Sequence, residues 1–107
     1  MARGDTVATL QFVGHLTAAD VRRQAFAVDR TASTLLVDCL AMTDYDPDAR
    51  AEFVAWNKRT KAQFDRVAIV TDKLAWRMVI AAMSLASGQT MRAFDDVGSA
   101  RAWLRTG

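Results

Sequence analysis

The chain has one cysteine, one histidine, one proline and five glycines in 107 residues, and no large excess of either charge. A single cysteine excludes an internal disulfide framework and any multi-cysteine zinc site. A single histidine leaves too little for a histidine-based metal site or a standard histidine-dependent triad. Fourteen Lys and Arg against twelve Asp and Glu give a net charge of only +2, too balanced to point to nucleic acid. So few prolines and glycines exclude a collagen-like or low-complexity chain. Long hydrophobic runs are also missing. The longest, Leu74 to Ala86, is cut by Arg77 and Ser84 and is too short to span a bilayer. The start, Met1 to Asp5, is polar and no apolar signal-peptide core follows it. A soluble cytoplasmic protein is the expectation.

What is present is ordinary globular composition, 51% hydrophobic and 24% charged. The length fits one domain over residues 1–107, and a chain of this size buries roughly 65% of its unfolded surface. Thr6 to Val13 alternates as a strand, closed by Gly14. Thr17 and Asp20 then have capping-box spacing ahead of an amphipathic helix of about 13 residues with Val21, Ala25 and Val28 inward. Leu35 to Leu40 is an apolar run of the kind covered on both faces in a parallel sheet. Asp46, Pro47 and Asp48 mark the clearest helix start, with a cap, a first-turn proline and an acid at the positive dipole end. Val67 to Val70 predicts another buried strand. A helix from Lys73 to Ser87 follows, with Gly88 as its left-handed stop. Met91 to Phe94 and a helix capped by Asp95 or Asp96 complete the pattern. Strand and helix alternate four times, which predicts an α/β fold with a small, mostly parallel sheet and helices on both faces.

Phe12 to Thr17, Leu35 to Asp38, Arg66 to Asp72, Trp76, Met91 to Asp95 and Ala102 to Leu104 together give the chain its family likeness. Over roughly residues 7–105 it resembles the STAS domain family, in particular its SpoIIAA-like branch. The resemblance implies a sheet of four or five strands and a non-enzymatic role in binding a protein partner. Typical members are switched by phosphorylation of a serine in an Asp-Ser-Ser-Gly-like loop. Here Asp38 is followed by Cys39-Leu40-Ala41-Met42-Thr43-Asp44, where Thr43 is the only hydroxyl and Asp44 would repel an added phosphate. The usual switch is therefore not expected, although Asp38, Cys39, Thr43, Asp44 and Asp46 remain the candidate switch or ligand loop.

Other chemistry competes for the strand ends. Asp38, Thr71, Asp72, Asp95 and Asp96 follow strands, where ligands of open α/β sheets gather, and hard cations take oxygen ligands. Aspartate is equally a preferred helix cap, the simpler account, so no metal and no cofactor are expected. Cys39 beside Asp38, with His15 leaving the same sheet edge, is a candidate nucleophile, but a lone cysteine in an apolar run is more commonly core. Arg22, Arg23 and Arg30, and Lys58, Arg59 and Lys61, are expected to be solvated helix faces.

The helix Lys73 to Ser87 is more informative. A helix on a sheet needs an apolar stripe near 100° wide, and this one is apolar over far more. The excess at Leu74, Trp76, Met78, Val79, Ala82 and Met83 has three readings: burial in the chain's own core, packing against a second copy or another protein, or lining a pocket for a small lipid-like ligand. Methionine-rich faces suit adaptable binding. The expected function is a non-enzymatic regulatory or interaction module, acting as a homodimer.

Overall fold

The computed structural model describes residues 7–106; the polar start and Thr6 lie outside the described residues. The elements run β1 (Val7–Gln11), β2 (Gly14–Leu16), α1 (Ala18–Phe26), β3 (Thr34–Asp38), β4 (Met42–Tyr45), α2 (Pro47–Thr60), β5 (Arg66–Val70), α3 (Leu74–Ser87), β6 (Met91–Phe94) and α4 (Val97–Arg105). The main sheet has the order β1-β3-β5-β6, and β2 with β4 forms a separate two-stranded sheet. Every pairing is parallel, with Leu35 opposite Ala8 on one side and Val67 on the other.

The strand order advances in one direction. Crossovers of a single hand along such an order place every connecting helix on the same face. Accordingly Val21 of α1, Phe53 and Trp56 of α2, and Ile80 and Met83 of α3 share one core with Leu10, Leu35, Val37, Val67 and Ile69. Only α4, which follows the last strand, turns back to the other face, where Ala100 and Leu104 pack on Leu36, Ala68 and Val70. The helices thus divide three to one. Because the order β1-β3-β5-β6 never reverses, the main sheet has no switch-point crevice of the doubly wound kind among the described residues.

Burial follows the same logic. Strands β3 and β5 are covered on both faces and carry continuous apolar runs. Edge strand β1 alternates between buried and open positions, with Thr9 and Gln11 exposed.

Two local features differ from the sequence expectation. Helix α1 stops after nine residues, because the Asp29 carboxylate accepts the Thr31 amide at 2.8 Å and its hydroxyl at 2.7 Å. Such a side-chain turn competes with further helix, so Val28 and Arg30 lie in the connection. Strands β2 and β4 stand where a helix approach and a loop were expected. With three and four residues they are too short to show a period. The Thr17–Asp20 capping box, the Asp96 cap and the left-handed Gly88 (φ 71°) all form as their residue types dictate.

Candidate functional site

The small β2–β4 sheet sits beyond the carboxyl ends of the main strands and is tied to them by backbone. The Phe12 amide donates to the Asp38 carbonyl at 3.0 Å, the Gly14 amide to the Ala41 carbonyl at 2.9 Å, and the Asp46 amide to the Leu16 carbonyl at 2.9 Å. His15 Nε2 and Asp46 Oδ1 close the outer edge at 2.6 Å. That bond raises the His15 pKa above its ordinary 6.5. It also engages the carboxylate expected to cap α2, whose start has no side-chain cap bond. Pro47 at the first turn and Asp48 near the positive end remain to favour that start.

Behind this small sheet, Phe12, Val37, Met42, Phe53, Ile69 and Met83 border an apolar cavity of about 60 Å³. Pockets for drug-sized ligands occupy roughly 300–1,000 Å³, several times this volume.

Cys39 also borders this cavity and is buried. Burial, helped by the Asp38 charge, pushes its thiol up to about 12, so it stays protonated near neutrality. His15 faces solvent and is engaged with Asp46, and no hydrogen bond joins it to Cys39 among the described residues. Cys39 is thus the small core residue that an apolar run favours, and the competing nucleophile reading with His15 and Asp38 has desolvation working against the thiolate and its base engaged with Asp46.

The carboxylates expected at the strand ends serve local structure. Asp38 Oδ1 accepts the Leu40 amide at 3.0 Å and Asp44 Oδ1 the Tyr45 amide at 2.8 Å. Asp96 accepts the Ser99 amide at 2.7 Å, which lowers its pKa. Asp72 lies 3.9 Å from Lys73, and Asp95 lies 4.0 Å from Arg77. Among the described residues no three His, Cys, Asp or Glu side chains could jointly hold a metal ion. Thr43 is exposed on β4 rather than in a loop.

Helix α3 divides into two faces. Ile80 and Met83 are buried, while Trp76 and Val79 are half-buried against the core. Trp76 meets Tyr45 edge-on at 5.6 Å, and Lys73 Nζ lies 4.9 Å from the Trp76 ring centre while donating to the Met42 carbonyl at 3.2 Å. The expectation that Met83 and Trp76 stand free for a partner is corrected. Helical spacing points Met83 at the sheet, and Tyr45, on a strand absent from the sequence reading, occupies Trp76. The other face is open: Leu74 is 77% exposed, Met78 79% and Leu85 87%, with Ala81 and Ala82 exposed between them. Leu85 closes this face, at the far end of the Leu74–Leu85 stretch that the apolar excess marks as a working surface, and its helical spacing from Leu74 and Met78 puts it on their side.

The family model described as SpoIIAA-like matches residues 7–105. The chain belongs to the SpoIIAA-like family. This SpoIIAA-like chain is also similar to a crystal structure of an uncharacterized protein of the DUF3478 family with a SpoIIAA-like fold from Shewanella loihica PV-4. The TM-score is 0.70 at 17% identity, over 90% of this chain and 82% of that one, a likeness of fold. No curated protein matches the SpoIIAA-like chain. No helix among its described residues is long and apolar enough to cross a membrane.

Proposed function

We propose that this SpoIIAA-like protein is a one-domain, non-enzymatic interaction module that works as a homodimer through the open face of α3. The observation that carries the reading is the exposed stripe of Leu74, Met78 and Leu85, on a helix with no charged residue from Met78 to Gly88. A surface helix turned to water ordinarily carries charge there.

The stripe is self-complementary, as a two-fold interface requires. An antiparallel crossing centred between Val79 and Ile80 sets Leu74 of one copy against Leu85 of the other, about 16 Å apart along each helix. The same crossing sets Met78 against the small Ala81. It also brings Arg77 over Ala82, where its methylene stem can cover apolar surface while the charge stays wet. The segment Asp38 to Asp46 meets the inward side of α3, through Tyr45 on Trp76 and the Met42 carbonyl on Lys73, and leaves the Leu74–Leu85 stripe uncovered.

Native mass spectrometry at about tens of micromolar, a concentration suited to modest interfaces, tests this reading. A dimer without retained ligand is expected. A monomer, or a monomer carrying a small apolar ligand, would reject it.

A further inference from the structure

On the other side of α2, away from the α3 stripe, the structure assembles residues that are far apart in the chain. A groove of about 500 Å³ runs between α1 and α2. Its floor includes Trp56, 7% exposed, with Ala25 and Val28 half-buried beside it. Phe26 stands on its rim at 83% exposure, an unusually open position for so large an apolar side chain.

Three arginines, Arg22, Arg30 and Arg59, line the groove against one acid, Glu52. Glu52 bridges two of them, with its carboxylate oxygens 3.2 Å from Arg22 and 3.7 Å from Arg59. Arg30 has no carboxylate partner among the described residues. These arginines are therefore more than separate solvated helix faces. Folding gathers them around an apolar trough with charge left over.

We propose that this groove docks an acidic peptide segment, one with an apolar or aromatic side chain flanked by Asp or Glu. The anchor would pack between Phe26 and the trough floor, and the flanking carboxylates would meet Arg30 and the outer faces of Arg22 and Arg59. Guanidinium groups suit this role because their planar donors match carboxylates two at a time. One feature favours a peptide over a nucleic-acid strand: Phe26 is the single exposed aromatic among the residues lining the groove, whereas strand binding builds on successive stacked bases.

Fluorescence anisotropy tests the assignment with a short fluorescein-labelled peptide carrying Leu-Phe between runs of Asp and Glu. A matched peptide with Lys in place of the acids and a short oligothymidylate serve as comparisons. Saturable binding of the acidic peptide is expected, weakening as salt rises. Arg30→Glu should weaken it about tenfold, in line with reversing one close charge contact. Phe26→Ser should weaken it comparably, while Met78→Glu on the α3 face should leave it unchanged. Both altered groove residues are exposed, and unchanged far-UV circular dichroism would verify folding. The proposal is overturned by equal binding of the lysine peptide, by tighter binding of oligothymidylate, by no saturable binding, or by wild-type affinity in both groove variants.

Discussion

Replacing Met83 and Met78 separately by alanine tests the two-faced reading of α3. The residues lie five positions apart on one helix, yet Met83 is 8% exposed and Met78 79%. Trimming Met83 removes buried thioether and methylene groups worth about 2 kcal/mol at about 0.8 kcal/mol per methylene-sized group. The site borders a cavity of about 60 Å³, and a further void of similar size adds about 1.4 kcal/mol at about 24 cal/mol per Å³. The expected loss is thus about 3 kcal/mol, inside the roughly 2–5 kcal/mol range of such truncations. With about 4–8 °C per kcal/mol for a chain near this size, Tm should fall on the order of 15 °C. Met78→Ala should stay within about 0.5 kcal/mol, as exposed substitutions do. Urea unfolding followed by circular dichroism in dilute protein, where self-association contributes nothing, gives both numbers. Equal losses, or a Met83→Ala loss under about 0.5 kcal/mol, would refute the assignment of faces.

Cys39 should resist a thiol reagent in the folded protein up to about pH 9 and react at once in denaturant, because a buried protonated thiol is a poor nucleophile. The His15 ring should titrate above 6.5 by NMR and return toward that value in Asp46→Asn. Because the folded histidine holds its proton more tightly than the unfolded one, its stabilising contribution is present below pH 6.5 and fades as pH rises through the raised value. Thr17→Ala should cost about 1 kcal/mol in urea unfolding by removing the acceptor that caps α1.

The main sheet was legible because its signals are local and strong. Continuous apolar runs at β3 and β5 mark strands covered on both sides, and Thr17, Pro47, Gly88 and Asp96 punctuate the helices by side-chain chemistry alone. The length of α1 was not legible, since the Asp29 turn competes with helix over a few residues that look equally helical. The β2–β4 pair escaped because strands of three and four residues owe their existence to a long-range partner. That omission carried into the site: without Tyr45 on a strand, Trp76 had no visible neighbour. The groove between α1 and α2 was invisible for the same reason. Arg30 and Arg59 come to line one groove only after the chain has crossed the sheet between them.

The central claim is that α3 turns one apolar face inward and presents a second to another copy. Sedimentation equilibrium of wild type and Met78→Glu at about tens of micromolar tests it most directly. The account predicts a wild-type species of twice the 11.8 kDa chain mass and a folded Met78→Glu monomer. A wild-type monomer, or a dimer that survives the substitution intact, would contradict it.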